Sequence, residues 1–369
     1  MKQFILKSSN QRISLYDKPV CRLMDGMIYS YIEDTHQYVK LYNESNIDLK
    51  QSKKLATMIE KRPPFVRSSD GEVMQLMWPV DLVFDDQGLY RGYLFDAFDL
   101  KQYEPMSALL GPIDSRKRVP RYSYKQRVLA AYHFAALLSN FHQYAIYLID
   151  FNPNHIYFHQ RSLKPLIIRC DLLSIAADGR IRYGAPHCSW MYCNPDDLAS
   201  DNESERLGLE QDLFGMAVLI YQLLNQGIHP YQSMPINLFR IPKSLFKAML
   251  NNEFVYSENN ATSRTRPLAW SIFDYFDDQT KQMFIRAFSK NDPRPTAMDW
   301  QLHLKKYASE QSDALQECPN HPAHFHFFNG CGLCASLNNK APLRDKVYKS
   351  INKLGQLKSN VAEKQIKVY

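Results

Sequence analysis

The stretch that decides the fold runs from His142 to Phe158 and reads HQYAIYLIDFNPNHIYF. An apolar run ends at Asp150, a polar turn follows from Asn152 to Asn154, and the chain becomes apolar again at Ile156. This order predicts a buried element, a polar loop at its end and a return into the core. A carboxylate in such a loop lies where rigid scaffolds carry chemistry. Because Asp-x-Asn-Pro is also an ordinary turn sequence, the rest of the chain decides between the two interpretations.

The composition is that of a globular protein. The chain has 369 residues, of which 45% are hydrophobic and 13% aromatic, enough for two domains or for one two-lobed domain with a small appendage. No apolar run approaches the roughly 18 residues that a membrane helix needs, and the N-terminal sequence MKQFILKSSNQR lacks the features of a cleaved leader. The seven cysteines are odd in number and unevenly distributed, which argues against a disulfide framework. These observations predict a soluble, cytoplasmic protein with no membrane span.

The net charge of +7 is unevenly distributed along the chain. Between Lys340 and Tyr369 there are eight Lys and Arg residues against Asp345 and Glu363. Such a basic tail could contact nucleic acid, an acidic protein or a membrane surface. The alternative is a solvated, partly helical tail without a ligand.

The first part of the chain, residues 1–110, is predicted to be rich in strands with one helix. Alternating apolar runs extend from Met27 to Ile32 and from Tyr38 to Tyr42. A helix is predicted from Ile47 to Lys61, because Pro63 and Pro64 follow it and helices end before prolines.

Helical spacing replaces the strand pattern from Tyr124 onward. A short buried strand from Leu166 to Ile168 precedes Asp171, and the segment Asp212 to Gln226 is apolar nearly all round, which is typical of a helix buried inside a domain. Two further helices are predicted from Asp278 to Ser289 and from Thr296 to Tyr307.

Together these features resemble protein kinases, in a bacterial branch that carries a C-terminal helix-hairpin-helix or zinc-ribbon-like element. The landmarks fall in kinase order along the chain: Val39-Lys40, His142 to Asp150, Asp171, Pro195-Asp196, Asp212 and Arg294-Pro295. The resemblance implies an α+β, two-lobed kinase-like fold with a β-rich N-lobe at 1–110 and a helical C-lobe at 111–310. It also implies that Arg294 pairs with the carboxylate that follows Pro195.

The resemblance implies a role for each landmark in phosphoryl transfer, which depends mainly on positioning and charge neutralisation. Lys40 is expected to hold the phosphates of ATP, and Asp171 to hold Mg²⁺. Asp150 is expected to accept or orient the proton of the attacking hydroxyl, within a catalytic loop that includes Asn152. On local pattern alone, however, Lys40 would be a solvent-facing charge on a half-buried strand.

The chain departs from the kinase pattern at its glycines. The segment Leu23 to Ile28 contains a single glycine where a Gly-x-Gly-x-x-Gly loop is expected, so that the backbone cannot approach phosphates as closely. Ile149 stands where the family has glycine before the catalytic aspartate.

The chain also departs from the pattern at the metal-binding positions. His155 takes the place of the amide that usually binds a second metal, although a shift of one residue would let Asn154 serve instead; imidazole suits Mg²⁺ poorly. Arg169 stands where the bacterial branch has a second acidic residue. The helix offers no clear glutamate partner for Lys40; Glu60 is at about the right separation, but at the helix end.

A second candidate site lies near the C-terminus, where residues 318–334 read CPNHPAHFHFFNGCGLC. The Cys331-Gly332-Leu333-Cys334 segment resembles a zinc knuckle, and Cys318 with a histidine supplies the other half of a structural Zn²⁺ site. The resemblance favours His324, while His321 would give a tight Cys-x-x-His spacing. This element is placed at 311–336 and the basic tail at 337–369. The alternative is a set of free thiols near a chance group of histidines.

These inferences lead to competing hypotheses of function. The first is ATP-dependent phosphorylation of Ser or Thr in a protein substrate, with ATP, Mg²⁺ and structural Zn²⁺ as cofactors. The alternative is a pseudokinase that binds nucleotide or partner proteins without efficient phosphotransfer. In a third hypothesis the zinc element and tail bind nucleic acid under control of the kinase-like part.

Overall fold

The computed structural model describes residues 2–66, 76–111, 121–177, 180–200, 203–236, 244–257, 265–309 and 312–338. The predicted basic tail at 337–369 lies outside the described residues, except for Leu337 and Asn338.

A seven-stranded antiparallel sheet forms the N-terminal part of the protein. Its strands are β1 (Lys2–Leu6), β2 (Arg12–Leu15), β3 (Cys21–Arg22), β4 (Gly26–Ser30), β5 (Gln37–Tyr42), β6 (Pro79–Phe84) and β7 (Tyr90–Asp96). They lie in the order β2-β1-β6-β7-β5-β4-β3. The sheet curls so strongly that Leu15 bridges Tyr31, and the Ile32 N–H donates to the Ser14 carbonyl at 2.9 Å. The edge strand β2 therefore meets the chain just beyond β4.

The two faces of this sheet pack into different clusters. The inner face of the curl forms a small cluster of its own that includes Tyr29, Val39 and Leu94. The other face contributes to the main core and packs against α1 (Leu49–Glu60). Both sides of the central strands are therefore covered, which buries residues that a one-sided sheet would expose.

Gly92 on β7 allows close contact with β5. A Cβ atom at this position would lie 1.8 Å from the Lys40 carbonyl oxygen, a distance that real side chains do not adopt. Because Gly92 lies opposite Leu41 in the ladder, it sets the position of the segment that carries Lys40.

Helices and small sheets form the rest of the described chain. The helices are α2 (Tyr124–Gln143), α3 (Pro195–Ser200), α4 (Leu209–Leu224), α5 (Leu245–Leu250), α6 (Asp278–Ala287), α7 (Ala297–Ala308) and α8 (Gly332–Asn338). The remaining strands are β8 (Tyr103–Pro105), β9 (Ile146–Tyr147), β10 (Ile156–His159), β11 (Pro165–Ile167), β12 (Ser174–Ala177), β13 (Arg180–Tyr183), β14 (Met234–Pro235), β15 (Thr265–Arg266), β16 (Gln316–Glu317) and β17 (Phe325–His326). Within the described residues, no helix combines the length and apolar character needed to cross a bilayer.

The predicted helices occur close to their expected bounds. Every residue of α4 from Gln211 to Leu224 is buried, which confirms a helix surrounded by core. Thr296 and Asp299 form the capping box expected at the start of α7. A strand-rich first part followed by helices is compatible with the predicted α+β class, while the two lobes and their bounds stay predictions.

Candidate functional site

Lys40 is fully buried on β5, so the expectation of a solvent-facing charge was wrong. Its Nζ lies 2.7 Å from Asp171 Oδ2 and 2.8 Å from Asp25 Oδ2. The alternating pattern of β5 predicted that one face of the strand is exposed to solvent. It failed because core residues also cover the face that carries Lys40. The structure thus brings together Lys40 and Asp171, two residues that the sequence assigned to one nucleotide site.

The carboxylate of Asp171 is buried in a short 3₁₀ turn that follows β11. It accepts hydrogen bonds from Tyr42 Oη at 3.0 Å and Tyr93 Oη at 3.3 Å, in addition to Lys40. Burial acts to raise the pKa of Asp171, but the charge and hydrogen bond of Lys40, together with the charges of Arg169 and Lys54, outweigh it and bring this pKa below the ordinary value. Asp171 is therefore an ionised carboxylate whose oxygens are already hydrogen-bonded within the protein.

Helix α1 presents a cation to Asp171 rather than a glutamate to Lys40. Lys54 Nζ donates to the Asp171 backbone carbonyl at 2.9 Å, and Gln51 Nε2 lies 3.5 Å from Asp171 Oδ2. Burial lowers the pKa of Lys54 to about 8. Glu60, the nearest sequence candidate for the partner of Lys40, is exposed at the end of the helix.

Asp25 completes this group from the turn between β3 and β4. Its Oδ2 lies 3.1 Å from Arg169 Nη2 as well as 2.8 Å from Lys40 Nζ, so that one carboxylate oxygen serves two cations. We call Lys40, Asp171, Asp25 and Arg169 the cleft cluster. Sequence reasoning missed Asp25, although its position beside Gly26, the single glycine of the expected phosphate loop, was a usable signal.

The loop that carries Asp150 is held by Asp212 at the start of α4. Asp212 accepts backbone hydrogen bonds from Leu148 at 2.8 Å and Ile149 at 2.7 Å, and a third from His142 Nε2 at 3.1 Å. Ile149 has a φ of +61°, a left-handed conformation that is strained for a β-branched residue. The position where the family has glycine thus keeps the conformation that favours glycine.

Asp150 is buried and has its own group of partners. Its Oδ1 accepts from the Ser189 N–H at 3.1 Å, while Oδ2 lies 3.5 Å from His155 Nδ1 and 3.8 Å from His187 Nε2. Both separations are too long for good hydrogen bonds, so Asp150 Oδ2 has no hydrogen-bond partner within the described residues. Burial acts to raise the pKa of Asp150, but the contact with His155 and the charge of His187 outweigh it and lower this pKa overall.

The remaining residues of the predicted catalytic loop form a turn. Asn152 Oδ1 accepts from the Asn154 N–H at 3.0 Å, and the side chain of Asn154 is exposed. His155 faces Asp150 instead. Within the described residues, neither Asn154 nor His155 hydrogen-bonds to Asp171. Their roles as metal ligands stay predictions.

The cleft cluster fits phosphate better than it fits Mg²⁺. Magnesium needs a near-octahedral set of oxygen ligands, whereas the Asp171 carboxylate already accepts from Lys40 and two tyrosines. His155, at the second metal position, offers a softer nitrogen. Lys40 and Arg169, by contrast, are cations of the kind that bind phosphate oxygens.

Arg294 pairs differently from the kinase expectation. Its guanidinium donates to Glu210 Oε2 at 2.9 Å and to Asn194 Oδ1 at 3.0 Å. Asp196, the predicted partner of Arg294, lies 3.3 Å from Lys290 Nζ. Arg294 therefore joins the start of α4 to the residue before α3.

Four of the C-terminal ligand candidates converge, namely Cys318, His324, Cys331 and Cys334, which we call the Cys/His cluster. One ligand atom from each lies within 4.8 Å of all the others. The Cys318 and Cys334 sulfurs are 3.5 Å apart, and His324 Nδ1 lies 3.4 Å from Cys334 Sγ. Bonds of about 2.3 Å to sulfur and about 2.0 Å to nitrogen put tetrahedral ligands about 3.5–3.8 Å apart, so this cluster could bind zinc.

The segment around the Cys/His cluster packs onto the helical part of the protein. The rings of Phe327 and Tyr307 lie 4.9 Å apart, and Phe327 also contacts Phe276 at 5.7 Å. Asn329 Nδ2 donates to the Phe276 carbonyl at 3.1 Å. The position of the Cys/His cluster is therefore fixed by core contacts as well as by its own hairpin of β16 and β17.

Comparison with known proteins adds a distant relationship. The chain is 23% identical over 325 residues to the protein named "Protein kinase YegI" of Escherichia coli (strain K12), which covers 84% of this chain and 47% of that protein. The chain is distantly homologous to a protein kinase. The protein of the same name in Escherichia coli O157:H7 is 24% identical over 324 residues, with the same coverage. The chain thus spans about half the length of these bacterial relatives, and no protein-family model matches it.

Proposed function

We propose that the chain acts as a kinase-like phosphotransferase that uses ATP to phosphorylate Ser or Thr hydroxyls of a protein. The observation that carries the proposal is the buried Lys40–Asp171 pair, which joins β5 to the turn after β11 at 2.7 Å. Homology to a named protein kinase over most of the chain supports the same conclusion.

Each residue of the proposed mechanism acts by position and charge. Lys40 attracts the phosphates, and Asp150 accepts the proton of the attacking hydroxyl while Ser189 holds its other oxygen. Asp212 keeps the loop in place through the Leu148 and Ile149 backbone. Positioning of this kind supplies most of the catalysis in phosphoryl transfer.

A pseudokinase is the second candidate, and a specific observation favours it. The Asp171 carboxylate is engaged by Lys40, Tyr42 and Tyr93, and His155 faces Asp150 where kinases place a metal-binding amide. Such a chain would bind nucleotide or a partner protein without efficient transfer. Control of nucleic-acid binding by the kinase-like part and a cytoplasmic location are further predictions.

The test is transfer of labelled phosphate from ATP to the chain itself and to a generic protein substrate, followed by identification of the labelled amino acid. Asp150→Asn should abolish transfer without unfolding the protein, because the amide cannot accept the proton. Asp86→Asn is the control, since Asp86 is an exposed aspartate in the β6–β7 turn that pairs with Arg12.

The two candidates separate in this experiment. Label on Ser or Thr that depends on Asp150 supports the kinase. Unlabelled protein that still binds ATP supports the pseudokinase, and transfer that persists in Asp150→Asn contradicts the assigned role of Asp150.

A further inference from the structure

Asp25 occupies a position between two cations from different parts of the protein. Its Oδ2 contacts Lys40 Nζ on β5 at 2.8 Å and Arg169 Nη2, in the turn after β11, at 3.1 Å. The side chains of Asp25 and Arg169 are 17% and 15% exposed, so both are largely removed from water. The Coulomb attraction between charges placed in this way is less screened than at the surface.

The pairing around Asp25 is incomplete. Asp25 Oδ1 and Arg169 Nε are both buried and have no hydrogen-bond partner within the described residues. The single carboxylate therefore leaves one acceptor and one donor unsatisfied, which is costly in a buried position. A phosphate group offers more acceptor oxygens and suits the forked donors of arginine.

The charge balance of this region also favours an anionic ligand such as phosphate. Lys40, Lys54 and Arg169 are three cations around only two carboxylates, those of Asp171 and Asp25. If the Asp25 side chain turns away, the cations outnumber the remaining carboxylate by two. A cation placed by the protein then supplies the positive charge for which kinases use a metal ion.

We infer that Arg169 and Lys40 form a phosphate-binding site that needs no metal ion, and that Asp25 closes this site until the phosphates of a nucleotide displace its carboxylate. The inference rests on the proposed binding of nucleotide at the cleft cluster. It assigns Arg169 as a further binding residue and Asp25 as an internal competitor of the ligand.

Asp25 is placed to move without unfolding the sheet. It lies in a turn directly after Met24, whose side chain is 82% exposed. Its backbone carbonyl accepts from the Asn43 N–H at 2.9 Å, which anchors the main chain while the side chain can rotate. The Lys40–Asp171 pair remains when the Asp25 carboxylate leaves.

The experiment is a calorimetric titration of the whole chain with ATP and with adenosine, in Mg²⁺ and in chelator. We expect the ATP affinity to change less than about threefold between the two conditions. Asp25→Asn should tighten ATP about tenfold and Arg169→Gln should weaken it about tenfold, as expected when one desolvated charge is removed. Adenosine should not respond to either change, because it carries no phosphate.

The ion pair of Arg91 and Asp85 provides matched controls. Its atoms are 2.7 Å apart, its side chains are 26% and 17% exposed, and it joins the β6–β7 turn to β7 within the sheet. Arg91→Gln and Asp85→Asn should leave the ATP affinity unchanged. Thermal unfolding of every variant separates a change in affinity from a loss of folded protein.

Several results would overturn the inference: ATP binding that needs Mg²⁺, an affinity that Asp25→Asn does not raise, or no binding even in Asp25→Asn. Failure of the proposed function gives a different result, namely metal-independent ATP binding that responds to Asp25 but is followed by no phosphate transfer. Transfer that requires Mg²⁺ and ignores Arg169 would support the function and refute the inference.

Discussion

The cleft cluster and the Cys/His cluster both gather ionisable groups, but they differ in how their charges are balanced. In the cleft, the carboxylates of Asp171 and Asp25 lie against Lys40 and Arg169, with Lys54 as a third cation beside Asp171. The Cys/His cluster brings together three sulfurs and one imidazole, and burial lowers the pKa of His324 to about 4, so that no member is a cation at neutral pH.

This difference determines what a ligand must do at each place. A phosphate that binds Lys40 and Arg169 would have to displace the Asp25 carboxylate. Its affinity would therefore reflect the difference between the phosphate–cation and the carboxylate–cation interactions. A metal ion in the Cys/His cluster would displace thiol protons rather than an existing ionic partner, so we expect its binding free energy to add to the stability of the fold. The first site already pairs its charges within the protein, whereas the second is a set of ligand candidates for which we predict a metal ion.

Removal of the metal should have the largest effect. We expect about one Zn²⁺ per chain, lost when Cys331 and Cys334 are both changed to Ser, because structural zinc contributes about 10–16 kcal/mol of apparent binding energy in small peptides. Chelation should then make residues 312–338 sensitive to protease. Metal analysis and limited proteolysis measure the two effects, with Cys21→Ser as the control that keeps its zinc. A metal-free protein with a protected C-terminus would contradict this prediction.

Disruption of the cleft pair should have the next largest effect. Lys40→Met leaves the Asp171 carboxylate buried without its main counter-charge, so the free energy of unfolding should fall by about 3–5 kcal/mol. Arg91→Gln, in the partly exposed pair with Asp85, should cost less than about 1 kcal/mol. Urea unfolding measures both changes.

A double variant sharpens this comparison. Lys40→Met together with Asp171→Leu should be more stable than Lys40→Met alone, because the buried carboxylate that has lost its main counter-charge is removed as well. Equal destabilisation by Lys40→Met and Arg91→Gln would show that the buried pair contributes no more to stability than the partly exposed pair.

The smallest effect should appear only in acid. The folded-state pKa of Asp171 is lowered below its ordinary value of 3.8, so its ionised form stabilises the fold above that pH. This stabilisation should be lost as the pH falls through the lower, folded-state pKa. The difference in unfolding free energy between the wild type and Asp171→Asn should therefore be constant at neutral pH and shrink below about pH 4. A difference that shrinks between pH 7 and 5 would show that another group titrates instead.

Local sequence determined much of the secondary structure. The apolar pattern from Asp212 to Gln226 predicted a buried helix, and Thr296 with Asp299 predicted the start of α7, because helical period and capping are properties of neighbouring residues. Spacing also identified Cys331 and Cys334, three residues apart, as ligand candidates, and the structure places them in one cluster with Cys318 and His324. Resemblance, rather than spacing, selected His324.

Only the tertiary structure decided how the cleft is balanced. Periodicity identified the face of β5 that carries Lys40, but it could not show that core residues cover that face. Lys54, and not Glu60, reaches Asp171 because of how α1 lies against the turn after β11. Arg169 reaches Asp25 because the β3–β4 turn lies against the same turn. Lys40 and Asp171 are 131 residues apart in the chain, and no local pattern encodes a contact over that separation. Their pairing exists because the fold buries both charges at one point, where Lys40 Nζ and Asp171 Oδ2 lie 2.7 Å apart.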